Sequence, residues 1–591
     1  MRLVGWAMPT LPMVSLLYLP NVAEEIMTDS IAKTYPDLLL RLLPADADVI
    51  VEIGCGNGMM GEQYKRINPK CLYCGIETDR DRASVASMRL DAVVDAIADL
   101  PIAPGEVNCF VYGDILRCAL DLETTLRQYN HWLKEDGQVV AYMPNPQYWL
   151  RIARFLQGNW GSEPEFITAP NQIYFASIDN IKQIFAVANL NLYEIQTDCP
   201  QLSPQQAEQL EKFQTLIAPL VEYLGLQTAN FHKIIRAHAF VARATKTPIA
   251  SRLLVQTFIA AAAGCARIRV YEPSSFLSTI PGTRTFNIQR DRPIDLNLAM
   301  PDEEKVFIWQ RALLLYPQDM QRQKTLMQRG FLIVAEHDDD PYFWPENADN
   351  KFLLFISSHC IQTSTEPLAQ HLKQFNPNVK AFANQLAYLP PRREHTNPDN
   401  VTLFFGALNR QNDWQPLLPA LNRVLNKYDR VAVKVIHDRE FFEAISTERK
   451  QFQPFCPYEE YQVILHTCDI GILPLADTQF NRMKSDLKFL EHAGHGVAAL
   501  ASPVVYADTI RDGETGLIYR DPDDFADKLE ELIRSASLRQ ELADRAYKWV
   551  AENRLMSQHY HTRREWYLEM RSQLPRLNAE LRDRCPEMFV V

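Results

Sequence analysis

Short apolar runs alternate with amphipathic stretches along most of the chain, and the runs end in glycine, proline or an acid. That alternation predicts strands joined by helices, and therefore parallel sheets in an α/β architecture. In the first unit strands are expected at 49–53, 72–76, 106–114 and 239–242, with an amphipathic helix at 122–133. Lys246-Thr247-Pro248 then forms a linker too short for long swings, so the flanking units are expected to touch. Beyond it, strands are expected at 267–271, 306–309 and 330–336, with a helix at 318–328. Pro390-Pro391 and the polar run to Asn400 mark a hinge. A last unit follows, with strands at 402–405, 431–436, 469–474 and 497–500. Amphipathic helices are expected at 525–533, 538–550 and 562–574, the last crossing back to brace the preceding unit. The resulting division is 1–245, 253–395 and 396–575, with a tail at 576–591.

One stretch of the last unit, 480–502, carries the most chemistry. A helix is expected from near Met483, with Asn481 as its cap and Ser485 and Asp486 in its first turn. Lys484, Lys488 and Glu491 then share a face, being four and three residues apart. Lysines beside backbone N–H groups at a helix start suit a phosphate, and an acid further along suits a pair of sugar hydroxyls. The same letters fit a solvated helix face. The strand that follows favours a site, because open α/β sheets bind ligands at the carboxyl edge.

In the first unit, the strand at 49–53 runs into Gly54-Cys55-Gly56-Asn57-Gly58, where missing side chains let the backbone approach a ligand. Gly56 to Gly61 also fits the dinucleotide fingerprint. Two features point elsewhere: Glu52 puts an acid in the strand end, and the glycines begin early, as E-x-G-x-G-x-G. Downstream, Glu77 ends the second strand, Asp95 or Asp99 precedes the next, and Asp114 ends the one after.

This order of motifs resembles class I S-adenosylmethionine-dependent methyltransferases of sugar pathways. The resemblance implies S-adenosylmethionine as cofactor, with Glu52, Gly54, Gly56 and Gly58 around its loop. It puts Glu77 on the ribose, Asp95 or Asp99 near the adenine and Asp114 at the pocket rim. The segment 171–190 resembles that family's late strand-loop-helix. Relatives often carry D-V-L-E-H-L where this chain has Asp114-Ile115-Leu116-Arg117-Cys118-Ala119. A histidine base is therefore replaced by Cys118, leaving Asp114 or Tyr112 to take the proton.

The stretch 480–502, with D-G-E-T-G-L at 512–517, resembles the donor domain of retaining GT-B glycosyltransferases, family 4-like, group 1. Met483 stands where the first glutamate of the family's E-x7-E motif would be, and Glu491 keeps the second. The resemblance implies a nucleotide sugar as donor and retention of configuration. Lys484 would be the catalytic cation on the leaving diphosphate, with Gly406 and Arg410 along the phosphates. Pro457 and Tyr458 would lie near the base, with Asn481, Ser485, Lys488 and Glu491 completing the site. The segment 363–368 resembles the family's strand-to-helix turn.

Asp338, Asp339 and Asp340 admit three readings: a D-x-D metal site, an acid cluster ordering acceptor hydroxyls, or a capping turn before Pro341. No metal is expected, since a GT-B pair has its own phosphate-binding helix.

Length and charge narrow the picture further. At 591 residues the chain exceeds one core, and 47% hydrophobic with 23% charged residues suits a globular enzyme. A net charge of -12 argues against non-specific nucleic-acid binding, so a phosphorylated ligand needs a local pocket. The 11 cysteines are scattered, and Cys71-x-x-Cys74 has no second pair for zinc, which points to a reducing cytoplasm. Pro9, Pro12 and Pro20 interrupt the apolar start, so no signal peptide is expected. The apolar run 253–266 falls short of the roughly 20 residues a membrane helix needs. The expected location is cytoplasmic, compatible with peripheral association at the inner face of a membrane.

Together these readings describe a bifunctional enzyme of surface-polysaccharide or lipopolysaccharide assembly. It would glycosylate a glycan or lipid-linked glycan acceptor and O-methylate a sugar. The alternatives are a glycosyltransferase with an inactive methyltransferase-like docking domain, or a non-catalytic scaffold.

Overall fold

The computed structural model describes residues 38–590 apart from 114, 117–120, 159–176, 262 and 396–399. The first sheet comprises β1 (Val49–Ile53), β2 (Leu72–Ile76), β3 (Ala92–Val94), β4 (Val107–Tyr112), β5 (Leu133–Pro144), β6 (Asn191–Asp198) and β7 (Ala239–Thr245). Their order is β3-β2-β1-β4-β5-β7-β6. Only β7 runs antiparallel to its neighbours. This is the class I methyltransferase fold, with apolar layers on both faces. The run VIVEI of β1 is almost wholly buried, as a central parallel strand must be.

The second sheet is all parallel. It comprises β8 (Arg252–Ile259), β9 (Thr283–Gln289), β10 (Glu303–Gln310), β11 (Leu332–Glu336), β12 (Cys360–Thr363) and β13 (Val379–Ala381), ordered β13-β12-β11-β10-β8-β9. The strand expected at 267–271 is helical instead, and 252–259 supplies the strand. Tertiary contacts explain the difference. From a helix, the fully buried Arg269 reaches Glu336 Oε1 at 2.7 Å and the carbonyls of Thr363 and Phe382 at 2.8 and 2.7 Å. One guanidinium thereby ties the ends of β11, β12 and β13 together.

The third sheet is also parallel. It holds β14 (Val401–Gly406), β15 (Val431–Ile436), β16 (Lys450–Gln453), β17 (Ile470–Leu473), β18 (Ala498–Ala501) and β19 (Leu517–Ile518), ordered β16-β15-β14-β17-β18-β19. The second and third sheets face each other by their carboxyl edges, the GT-B arrangement. The helix His561–Ser572 crosses back, and Tyr567 donates to Gln362 Oε1 at 2.6 Å. The tail expected at 576–591 is instead mostly a second bracing helix, Leu574–Arg584. It stays ordered because Leu581 and Met588 complete the core around Ile333 and Leu354. No described helix is long and apolar enough to cross a membrane.

The methyltransferase-fold domain docks by the amino edge of its sheet. Asp46, just before β1, accepts from Tyr560 Oη at 2.7 Å and pairs with His561 at 2.9 Å. Arg243, near the end of antiparallel β7, donates to the Ser278 and Thr279 carbonyls at 2.9 and 2.6 Å. Ser278 and Thr279 precede β9, so they too lie at an amino edge. The two carboxyl edges, where ligands of such sheets bind, therefore point away from each other.

Candidate functional site

A cavity of about 310 Å³ lies between the second and third sheets, walled by Arg311, Asp338 and Asp339 on one side and His437, Tyr458, Lys484, Lys488 and Glu491 on the other. A second, of about 230 Å³, lies within the last domain against Gly406 and Arg410. A third, of about 700 Å³, opens from Ser364 and Glu366 to Asp508. Lys484 and Ser485 line all three. The point where a cation was expected is thus the junction of the whole cleft.

The helix expected from Met483 begins later, at Leu487, after a short helix Gln479–Arg482 capped by Thr478. Asn481 is therefore no cap. It is buried, holding Asp413 Oδ1 at 2.7 Å and receiving Arg410 Nη1 at 2.9 Å. Its amide locks the loop through Asp413, Arg410 and the Ala476 carbonyl, and it lies inside the short helix rather than ahead of one. Asp486 precedes the main helix but does not cap it, since Arg554 and Thr509 take its carboxylate. The first N–H groups of Leu487–Gly494 thus face the cleft without a side-chain cap, as an anion site requires.

Lys484 pairs across the cleft with Asp339 and sits 4.2 Å over the Phe480 ring. Arg311 holds Asp339 Oδ2 at 2.9 Å and Asp338 at 3.3 Å. It does so from a left-handed backbone, φ 48°, a cost of the kind that gathers at functional sites. Burial would raise the Asp338 carboxyl, but Arg311 and Arg269 outweigh it and leave it below the usual range. Burial pushes the neighbouring Cys265 thiol up. Asp340 turns away, accepting from Tyr342 N–H at 3.0 Å as the cap of the next turn. The acid run is split: two residues face the cleft and one caps. Among the described residues no cluster of three or more His, Cys, Asp or Glu is placed to hold a metal.

Glu491 is 2% exposed and accepts from the Tyr458 and Tyr461 hydroxyls at 2.9 Å and from Lys488 at 3.1 Å. Any sugar diol would share this carboxylate with two tyrosines. Pro457 caps the helix that carries Tyr458. Phe455 is exposed and stacks on His437, ring centroids 5.0 Å apart. Burial, then the charge of Lys488, lowers His437 from its ordinary value.

Sequence reasoning missed Arg311, Arg269, His437 and Asn384, which holds Ser485 Oγ at 2.8 Å. Arg311 and His437 each directly follow a strand, and that position was the available signal.

In the first domain Gly54, Gly56 and Gly58 have φ of 74°, 57° and 76°, conformations that favour glycine. A side chain at Gly56 would meet nothing within 4 Å, so open space lies over the loop. Ile115 covers Gly54, 3.1 Å from where its Cβ would be. Glu77 accepts from Gly56 N–H at 3.0 Å, Asp79 N–H at 2.9 Å and Arg82 at 3.2 Å. Open space beside a strand-end carboxylate fits a nucleoside with a ribose diol. Glu52 lies below the loop, accepting from Tyr73 Oη at 3.0 Å, and burial lifts its pKa to about 8. Asp95 is exposed just beyond β3.

Asp114, Arg117, Cys118 and the first six residues, 171–176, of the expected 171–190 segment lie outside the described residues. Tyr112, one of the two groups expected to take the proton, is instead buried in the core with Leu122 and Leu126. β4 is a central strand with a core on each face, so residue 112 is covered by the layer that also packs on Phe110. The same carboxyl edge holds an unforeseen group, His238 Nε2 at 2.6 Å from Tyr142 Oη and Nδ1 at 3.3 Å from Asp198.

The fold and the cleft define a two-domain GT-B unit joined to a class I methyltransferase-fold domain. Residues 399–535, in the last domain, match the family described as Glycosyl transferases group 1. No curated protein matches the chain. Among solved structures, TarM of S. aureus is 13% identical with a TM-score of 0.36, covering 46% of this chain, which spans 55% of TarM. Anabaena HepE, solved with UDP and glucose, is 12% identical at a TM-score of 0.38, covering 54% of this chain and all (100%) of its own. A SAM-dependent methyltransferase from Thermotoga maritima is 15% identical at a TM-score of 0.25, covering 37% of this chain and 90% of its own.

Proposed function

We propose that the C-terminal half transfers a sugar from a nucleotide donor to a glycan or lipid-linked glycan. The N-terminal half would bind S-adenosylmethionine and methylate a sugar hydroxyl, both in surface-polysaccharide or lipopolysaccharide assembly. The observation that carries the first part is the meeting of three cavities at Lys484 and Ser485. As the glycosidic bond breaks, negative charge builds on the departing diphosphate. Lys484, once it leaves Asp339, together with Lys488 and the uncapped N–H groups of Leu487–Gly494, would meet that charge without a metal. Asp339 and Arg311 form the facing wall, where acceptor hydroxyls would be ordered.

In the first domain, Glu77 and the glycine loop would hold the cofactor, which supplies the methyl group. His238, held between Tyr142 and Asp198 at the same edge of the sheet, would be a substitute for the absent family base. A second reading, the domain as a docking module, is favoured by its contacts with Tyr560 and His561. Hydrolysis screened across UDP-, GDP- and ADP-sugars, with S-adenosylmethionine titrated by calorimetry, tests both parts. Turnover of no donor would sink the first, and absence of cofactor binding the second.

A further inference from the structure

The carboxyl edges of the methyltransferase-fold and glycosyltransferase sheets face opposite ways, so neither pocket passes a product directly to the other. What joins them is one helix. Met59–Ile67 starts at the glycine loop, where Gly58 is its N-cap at φ 76°. It ends against the hinge of the glycosyltransferase pair. The Arg66 carbonyl accepts from Leu389 N–H at 2.8 Å, and the Ile67 carbonyl from Ser557 Oγ at 2.8 Å.

Those two partners belong to the two chain segments that cross between acceptor and donor domains. The segments are themselves paired: Leu386 N–H donates to Arg554 O at 2.9 Å and Met556 N–H to Leu386 O at 2.8 Å. Any change in the angle between the domains has to pass through this pair. The neighbouring Asp46 adds its contacts to Tyr560 and His561 just beyond the second segment.

We propose that this helix couples the two pockets: occupancy of the glycine loop shifts the hinge, and a nucleotide in the cleft shifts the loop. The proposal rests on the reading of both pockets as nucleotide sites. At the loop end, Glu77 spends a carboxylate oxygen on Gly56 N–H. A ligand diol that takes this oxygen competes with Gly56 and so acts on the turn that starts the helix. At the other end the helix offers its backbone carbonyls, one held by the Leu389 N–H and one by the Ser557 hydroxyl. A nine-residue helix spans roughly 14 Å and moves as a rod. Linkage requires the two ligands to change each other's affinity by the same factor.

The test is calorimetry on the full chain. S-adenosylhomocysteine is titrated with and without saturating nucleoside diphosphate, using whichever of UDP, GDP and ADP binds tightest, and then the reverse. The expected result is an equal reciprocal change in Kd of about 5-fold or more. Hydrogen exchange at 386–389 and 553–558 should change when S-adenosylhomocysteine alone is added. Ser557→Ala combined with Tyr560→Phe should bring the factor towards one, with each single-ligand Kd kept within about twofold. If either ligand fails to bind, the reading of its pocket falls. If both bind with a factor of one, or the double variant leaves the factor unchanged, the coupling is overturned.

Discussion

Lys484 of the last domain and Asp339 of the domain before it form an ion pair across the cleft, with Arg311 holding the other oxygen of the same carboxylate. The cation proposed to meet the diphosphate is therefore occupied by an acid of the opposite wall. Lys484→Ala should weaken nucleoside diphosphate binding by about 10- to 100-fold, the worth of a charge-assisted hydrogen bond. Asp339→Asn removes the competing anion and should tighten binding a few-fold while slowing transfer. Calorimetry and donor turnover separate the two effects, and equal weakening by both variants would contradict this arrangement.

Phe455 stands exposed against His437 at the end of the cleft that Tyr458 lines. If it carries the nucleotide base, Phe455→Ala should cost about 1 kcal/mol or more of binding, with a larger loss for a purine than for a pyrimidine. Because the ring is exposed, the melting temperature should stay unchanged.

Arg269 and Glu336 are each 1% exposed, and the guanidinium also holds three acceptors at the sheet's carboxyl edge. Arg269→Met strands a buried carboxylate and should cost about 3–5 kcal/mol. Arg269→Lys should recover little, since a single ammonium cannot span partners arranged around a planar fork. Thermal unfolding of the three proteins decides this, and a lysine variant as stable as the parent would refute it.

Glu52 is raised from its ordinary value to about 8 by burial, then by the charge of Glu77. Between about pH 4.5 and 8 the folded form keeps a proton that the unfolded chain has lost, so stability falls as pH rises through that window. Glu52→Gln should flatten that slope and stabilise the first domain at pH 8 by roughly 2–5 kcal/mol. Melting curves at pH 5, 6.5 and 8 provide the check, and an unchanged pH slope in the variant would remove Glu52 as its source.

Local pattern sufficed to bring Lys484, Lys488 and Glu491 to one cavity, because four- and three-residue spacings survive a late helix start. Lys484 sits before the helix, yet still lines the same cavity as the other two. The glycine loop was equally legible, since positive φ at Gly54, Gly56 and Gly58 is a demand of single residues. Position 269 was not. The alternation Arg-Ile-Arg-Val-Tyr reads as a strand until Glu336, 67 residues away, pulls the arginine inside. Tyr112 was not legible either, because only the layer packed over β4, with Leu122, Leu126 and Phe185, covers its ring.

The chain by itself determined three α/β units, their order, and the residue types that suit phosphate and ribose. These follow from hydrophobic period and backbone freedom, which act over a few residues. Tertiary structure alone decided that Asp339 meets Lys484, that the two carboxyl edges face apart, and that one short helix touches both a glycine loop and a hinge. Each depends on distant segments packing together, and no spacing along the sequence records it.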